Sequence, residues 1–554
     1  MEQLTSVKNT MTLTGGEGIV ESLKREGVEK VFTVPGESFL PVLDAIHDAE
    51  SIELITTRHE GGAAFMAEGY GKASGKPGVV MATRGVGATN LSIGIHTAKQ
   101  DSTPMIVLLG QVHSKVRGRE GFQEVDLDEM FKHLAKWTFE IKDSERVPEI
   151  MHRAFRIAQS GRPGPVVIAL PEDMLVEKSE MTFKTPFHKS KPRPSKDELN
   201  NIYEMLNDAK QPVIIAGGGV KLSGSEDLLK QFAEKNNIPV LAAFRRHDVF
   251  PHSHPLFCGH LGLGTSPKVK QTAEDADVII AIGTRFSEIT TQDYTLIHNE
   301  HKLIHIDIEG TEIGKVYSPD IGVLADANEA LKELNKLEIN QNWQSWATER
   351  RQAYEEIVSK PIDEQAPINR HIIALMEKHL PKDTIITNDA GNFAGWLHSF
   401  YQFNEKNTYV GPTSGAMGYG LPAAIGAKLG QKDRTVVSLS GDGGYMMTVQ
   451  ELETAARHNI PVISIVFNNQ MYGTIRMHQE MHYPHRVVGT DLGDVRFSDL
   501  ANSLGAIGYH VNDISEFELA LVEAMKNEKP SVIEVMTDPE QISVSATIEE
   551  LRNK

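Results

Sequence analysis

The chain has 554 residues, 40% apolar and 24% charged, with a formal net charge of −19 and a mean hydropathy of −0.28. That length suits about three domains of ordinary size, and an acid excess without any basic cluster argues against nucleic-acid binding. No apolar run is long enough to span a membrane, the opening MEQLTSVKNTMTLTGGEG lacks a signal-peptide core, and the lone Cys258 excludes an internal disulfide or a cysteine-based zinc site, so a cytoplasmic enzyme or binding protein is expected.

From residue 10 to 180, helical and strand patterns alternate through GIVESLKREGVEKVFTVPG, GVVMATRG, PMIVLLG and GPVVIALP, which reads as α/β. A proline- and lysine-rich stretch, Thr185–Glu198, reads as a linker. Residues 195–335 form a second α/β run, from QPVIIAGGG through DVIIAIGTRF to KLIHIDIEG, and a charged helical connection is expected over Glu333–Gln365. The third run, 365–545, completes an expected fold of three doubly wound parallel-sheet domains. An internal echo links the first and third runs: Gly61–Asn90 and Gly418–Gly444 each give a small-residue helix, a polar turn, a buried strand and a glycine turn.

The third run holds the most informative stretch, SGDGGYMMTVQELETAARHNIPVISIVFNN (Ser440–Asn469). RTVVSLS and IPVISIVF read as buried strands flanking a helix, so they should be parallel; Thr448 and Glu451 fit a capping box for that helix. Asp442 then lies just past the carboxyl end of one strand and Asn469 just past the other, the edge where open parallel sheets bind ligands. One anionic and one neutral oxygen suit a magnesium-like ion, and the glycine N–H groups beside them suit a diphosphate. A bare GDG is most often a turn with a solvated Asp; the second strand ending in Asn-Asn favours the ligand reading.

GDG followed at this distance by NN resembles the thiamine-diphosphate motif of the decarboxylase and acetolactate-synthase superfamily, and the chain resembles that superfamily nearly end to end. The resemblance implies pyrimidine-binding, central Rossmann-like and diphosphate-binding domains, with one cofactor held across a dimer interface. Asp442, Asn469 and the main-chain carbonyl of Met471 would bind Mg2+, and Gly443, Gly444, Gly391 and Asn392 the diphosphate, although many acetolactate synthases have Gln-His where this chain has Asn392-Phe393. Met417 would wedge between the cofactor rings and Gly415 would offer its carbonyl. Glu60, in TTRHEGGAAFMAEGYG, matches the activating glutamate, which must reach the pyrimidine from an apolar pocket with a raised pKa; Pro35 and Asn90 are assigned to the cofactor as well.

Further expectations concern FAD and substrate. Positions matching Arg162, Gly218, Arg285, Asp307 and Asp326 bind FAD in acetolactate synthases and pyruvate oxidases, but the glycines form no GxGxxG and some relatives keep this fold without flavin. GREGFQEVD (Gly118–Asp126) resembles the synthase loop that would turn Phe122 and the catalytic Gln123 toward substrate. Two departures bear on the acceptor: Glu172 replaces the synthases' lysine, and His478 replaces their tryptophan. His478 and His482 have zinc-pair spacing without a third ligand. The reaction implied is decarboxylation of a 2-oxoacid, pyruvate foremost, with ligation of the resulting enamine to a second carbonyl compound. The alternatives are a simple 2-oxoacid decarboxylase, a flavin-linked oxidase, or a non-catalytic nucleotide-binding regulatory protein. The resemblance implies a homodimer or homotetramer, and a small regulatory subunit as a partner to test for.

Overall fold

The computed structural model describes residues 10–186, 189–359 and 361–553. The first domain carries β1 (Thr10–Thr14), β2 (Lys30–Thr33), β3 (Glu53–Thr56), β4 (Gly78–Ala82), β5 (Met105–Gln111), β6 (Trp137–Glu140), β7 (Pro165–Pro171) and β8 (Lys178–Thr182). The central domain carries β9 (Pro212–Ala216), β10 (Val240–Ala242), β11 (Phe257–His260), β12 (Val278–Ile282), β13 (Lys302–Asp307) and β14 (Ile321–Leu324). The third carries β15 (Ile385–Asn388), β16 (Tyr409–Val410), β17 (Val436–Gly441), β18 (Ile463–Asn468), β19 (Ile507–Val511) and β20 (Ser531–Met536). β1 and β8 pair as an antiparallel ribbon; the other strands form three six-stranded parallel sheets. Strands such as GVVMA and VIIAI are buried throughout, because helices cover both faces of each sheet.

The strand orders locate the ligand edges. The central sheet runs β11-β10-β9-β12-β13-β14, the order of a dinucleotide-binding fold, and its order reverses between β9 and β12. The first sheet runs β3-β2-β4-β5-β7-β6 and the third β16-β15-β17-β18-β20-β19. These two orders are the same when strands are counted within each six-stranded sheet. The internal echo is thus a repeat of topology, with switch points at β2/β4 and β15/β17.

The echo helices Glu60–Ser74 and Gly420–Gly430 pack on each other. A Cβ on Gly69 would lie 2.4 Å from the Ala423 carbonyl oxygen, and one on Gly426 would lie 2.0 Å from that of Met66. Only glycine permits backbones this close, and the Phe65 and Tyr419 rings close the seam at 5.3 Å. One apolar core therefore runs from Phe32 and Ala64 into Ala424 and Leu452. A buried polar knot sits beside it: Lys72 Nζ donates to Asp101 at 2.9 Å and to the Gly411 carbonyl at 3.0 Å, and pairs with Glu68 at 2.9 Å. Burial would raise Asp101, but the Lys72 ammonium and the Arg246 guanidinium outweigh it and hold its pKa near about 2. Asp101 also accepts from the Thr413 N–H at 3.0 Å and pairs with Arg246 at 3.5 Å, so this one carboxylate joins all three domains.

Three local expectations are corrected. Thr448 and Glu451 do not cap a helix: Thr448 ends the helix Asp442–Thr448 and donates to the Gly418 carbonyl at 2.8 Å, and a new helix starts at Glu451. The Glu451 carboxylate instead accepts from the Arg58 N–H at 3.2 Å, a contact across domains that local spacing cannot reveal. The charged connection holds the helix Gln344–Val358, which belongs to the central domain: Trp343 and Trp346 are buried and donate to the carbonyls of Ala209 and Pro212, each at 3.0 Å. The linker stretch is shortened, since Ser195 caps a helix that begins at Lys196. Among the described residues no helix is long and apolar enough to cross a membrane.

Candidate active site

At the β15/β17 switch point the turns after β15, β17 and β18 converge. Asp442 opens its helix directly after β17 and is 5% exposed. Its Oδ1 accepts from the Gly443 N–H at 2.9 Å, while Oδ2 is buried without a partner. Burial pushes its pKa up to about 6, against the pull of backbone N–H groups around it. A buried carboxylate oxygen in this state suits a cation ligand, because pairing repays its desolvation. Asn469 follows β18, and its Oδ1 accepts from the Met471 N–H at 3.3 Å. Gln470 between them takes a left-handed φ of 57°, and the Tyr472 N–H to Thr490 carbonyl bond at 2.8 Å pins the turn. A Cβ on Gly443 would lie 2.6 Å from the Tyr472 ring, and one on Gly444 would lie 2.8 Å from Asp389 Oδ2. The glycines are thus fixed by crowding behind the turn as well as by any ligand before it.

Asp389, just past β15, is fully buried and joins these turns. It accepts from the Ala390 N–H at 2.9 Å and the Gly418 N–H at 3.0 Å, and burial pushes it up to about 7. Gly391 has φ 149° and a Cβ there would strike the Phe393 ring at 2.7 Å. Asn392 is placed differently from the expectation of a diphosphate contact. Its side chain donates to the Ile542 carbonyl at 2.9 Å and accepts from Thr474 Oγ at 2.9 Å, tying the helix Gly473–His482 to the C-terminal segment. Gly415 (φ 68°) and half-buried Met417 lie on the loop that the Gly418 bond to Asp389 anchors.

Glu60 lies beyond β3 on the corresponding edge of the first domain, as the first residue of its helix. His59 caps that helix by accepting from the Gly61 N–H at 3.0 Å. Asn90 donates to Glu60 Oε2 at 2.9 Å, and a Cβ on Gly87 would lie 3.0 Å from Oε1. Glu60 is half-buried, and Val86 and Ile93 on the same helix as Asn90 are exposed. Pro35, exposed, follows β2. Gln123 has φ 62°, its carbonyl accepts from the Gly85 N–H at 3.1 Å, and neighbouring Phe122 is 72% exposed. His478 is exposed on the helix Gly473–His482, its ring 6.1 Å from that of His482; no cluster of three His, Cys, Asp or Glu able to hold a metal occurs among the described residues.

The central-domain switch point opens a cleft that Arg162, Gly218, Arg285 and Asp307 line, with Asp326 in its continuation. The backbones of Gly219 and Gly283 approach so closely that a Cβ on Gly283 would lie 2.5 Å from Gly219 Cα. Arg162 donates to Ser102 Oγ at 2.8 Å and pairs with Glu312 at 2.9 Å. Burial pushes Arg285 down to about 10 and Asp307 up to about 6. Asp326 caps the next helix by accepting from the N–H groups of Asn328 and Glu329. Sequence reasoning missed Asp101 and Arg246, which line the same cleft, and Asp389. Only Asp389 had a local signal, its place inside NDAGN.

Comparison with known proteins agrees with this geometry. Residues 13–130 match the thiamine pyrophosphate (thiamine diphosphate) enzyme N-terminal TPP binding domain, 199–334 the central domain, and 389–535 the C-terminal TPP binding domain. The chain is 36% identical to a probable acetolactate synthase large subunit of Methanocaldococcus jannaschii, over 95% of this chain and 92% of that one. It is 35% identical to the acetolactate synthase large subunit of Lactococcus lactis, over 87% and 85% of the two chains, and 33% identical to the isozyme 3 large subunit of Escherichia coli, over 95% of each. With its domains matched in order and its length aligned nearly end to end, the chain belongs to the thiamine-diphosphate-dependent enzymes of the acetolactate synthase large-subunit family.

Proposed function

We propose that this acetolactate-synthase-like enzyme decarboxylates a 2-oxoacid, pyruvate foremost, and ligates the retained acyl unit to a second carbonyl compound. The observation that carries the reading is the unpartnered Oδ2 of buried Asp442 at the β15/β17 switch point, matched by Glu60 on the same edge of a domain with the same strand order. Asp442, Asn469 and the Met471 carbonyl would hold Mg2+, with the Gly443, Gly444 and Gly391 backbone at the diphosphate. Asn392 enters this cradle only through its main chain, since its amide is already engaged. Thiamine diphosphate, when bound, supplies the carbon centre at which a 2-oxoacid loses CO2. Glu60 holds and returns the proton at pyrimidine N1′, and Asn90 keeps its carboxyl turned by bonding Oε2. Pro35, Met417 and Gly415 would help hold the cofactor, and Phe122 and Gln123 would face the substrate.

Exposed apolar side chains near Glu60 (Val86, Ile93, Phe122) and after the Asp442 turn (Met446, Met447, Ile475) support assembly into at least a homodimer, in which each cofactor lies between the first domain of one chain and the third of its partner. Mixing inactive Glu60→Gln and Asp442→Ala variants after dissociation should restore partial activity, because one of the two sites in a heterodimer is intact. Absence of recovery, with exchange verified by mass, would place the site within one chain. Relatives named large subunits support a small regulatory subunit as a further partner, and the cytoplasm is the proposed compartment.

The glycine turns and buried Arg285 and Asp307 of the central cleft support FAD as a second cofactor, with Arg162, Gly218 and Asp326 along it. Purified protein should show a flavin band in the visible that Arg285→Ala weakens. Colourless protein that takes up no added FAD rejects this assignment.

A further inference from the structure

The strand β20, SVIEVM, lies between β18 and β19, and its one charged residue, Glu534, is 1% exposed. A buried carboxylate is costly unless its oxygens find donors, and both of these do. Oε1 accepts from the Asn468 amide at 2.9 Å. Oε2 accepts from the Ser498 N–H and hydroxyl, each at 3.1 Å, and lies 3.2 Å from His510 Nδ1. Burial alone would raise the carboxyl, but the Asn468 amide, the Ser498 N–H and His510 outweigh it and hold the pKa below the ordinary carboxylate range. The sheet register sets this up. His510 of β19 pairs with Glu534 directly, and Val466 of β18 pairs with it on the other side, which makes Asn468, two residues on, a diagonal neighbour on the same face.

Asn468 immediately precedes Asn469, the neutral oxygen of the candidate metal site. The two ends of a side-chain amide have nearly the same shape, so the surroundings decide which way it points. The Glu534 carboxylate and, at 3.4 Å, the Val495 carbonyl can only accept, which turns the Asn468 nitrogen toward them. Its oxygen then faces the Gln470 N–H and accepts from it at 3.3 Å. Gln470 has φ 57°, a left-handed backbone uncommon outside glycine, so this bond supports a conformation that the residue does not favour by itself. From the same turn the Met471 N–H reaches Asn469 Oδ1 at 3.3 Å. With the Asn468 amide reversed, its NH2 would meet the Gln470 N–H donor to donor, and its oxygen would meet two acceptors.

We infer that Glu534 is a positioning residue for the metal site: through the Asn468 amide it holds the Gln470 turn, and with it Asn469 and the Met471 carbonyl, in place for a divalent cation. This rests on the Mg2+ assignment above. Glu534 acts through Asn468 and is not itself a ligand. Glutamine at this position has a single acceptor, which can serve Asn468 or the Ser498 and His510 side but not both. Moving the carboxylate should mend what removing it breaks. In the double variant Glu534→Gln/Asn468→Asp, the new amide nitrogen donates to the new carboxylate, whose other oxygen accepts from the Gln470 N–H.

The test titrates Mg2+ into apoprotein at a fixed concentration of thiamine diphosphate and reads binding by calorimetry. Glu534→Gln should weaken Mg2+ by about 10- to 100-fold, the usual loss when the outer partner of a metal site is removed. CO2 release from pyruvate, followed against Mg2+ concentration, should show the same shift in half-saturation, with the loss in affinity and not in the plateau. Asn468→Asp alone sets two carboxylates face to face and should also bind Mg2+ less tightly than wild type. The double variant should bind it more tightly than either single variant, the mark of two side chains acting as a pair. Ser498→Ala keeps the Asn468 bond, controls for general loosening of the network, and should stay near wild type. Unchanged affinity in Glu534→Gln, an equal loss in Ser498→Ala, or a double variant no tighter than the singles overturns the proposal. Where Glu534→Gln does not fold, the gain from Asn468→Asp to the double variant decides it. Wild type whose cofactor binding needs no divalent ion overturns the Mg2+ assignment, and the proposal with it. Wild type that binds both but releases no CO2 overturns the reaction reading alone, and calorimetry then decides this one.

Discussion

Asp442→Ala is expected to abolish magnesium-dependent binding of thiamine diphosphate while leaving the apo fold at least as stable. Asp442 is the only charged group in the proposed metal shell, the others being the Asn469 amide and a main-chain carbonyl. Removing it leaves a divalent ion with neutral donors only. Outer-shell partners of a metal site are already worth roughly 10- to 100-fold in affinity, so loss of the charged ligand should exceed about 100-fold. The apo protein should not suffer, because the wild-type side chain is 5% exposed with Oδ2 unpartnered, and a buried polar atom in that condition costs about 1–3 kcal/mol. Titration calorimetry with cofactor and magnesium reads the first effect and thermal melting of the apo protein the second. Undiminished affinity rejects the assignment of the turn. A lower apo melting temperature shows that Asp442 supports the fold by itself.

What could be read from the sequence was what neighbours in the chain decide. Strands buried on both faces appear as unbroken apolar runs, and a glycine–acid–glycine turn past such a strand marks its carboxyl edge, which is why the place of Asp442 and Asn469 was legible. The echo of Gly61–Asn90 in Gly418–Gly444 was legible too, since small residues every few positions leave room for a second helix, and Gly69 and Gly426 turn out to be the contact points. Contacts between distant segments were not legible. The Thr448–Glu451 spacing matches a capping box, but Thr448 finds Gly418 and Glu451 finds the Arg58 N–H, both in other parts of the chain. Asn392 has the type and place of a diphosphate ligand, but folding brings Thr474 and the Ile542 carbonyl to its amide. Arg84 sits in ATRG, where nothing nearby in sequence hints that Glu37 and Glu172 will meet it. The charged stretch around Trp343 and Trp346 reads as a solvated connector because its acids outnumber its anchors, although two indoles suffice to dock it.

Glu60→Gln is expected to leave folding and cofactor binding largely intact and to slow exchange of the cofactor's C2 proton by about 10²- to 10⁴-fold, the usual contribution of a positioned acid–base group. The geometry separates the two oxygens of Glu60. Oε2 is taken by the Asn90 amide at 2.9 Å, and Oε1 lies against Gly87, where any side chain would crowd it to 3.0 Å. Glutamine has the same shape and can keep its oxygen on Asn90, so the helix start and the His59 cap survive. Its other terminal group is then an NH2, which donates but cannot accept and return a proton at N1′. The structural loss is small: an acid in the first turn of a helix is worth about 0.3–1 kcal/mol. The variant thus isolates proton handling from binding, provided affinity is measured on the same preparation. Exchange is followed in deuterated water by quenching the loaded enzyme and reading the C2 signal by NMR. Exchange at the wild-type rate, with cofactor bound, would remove Glu60 from the chemistry and leave it as a residue that only favours its helix.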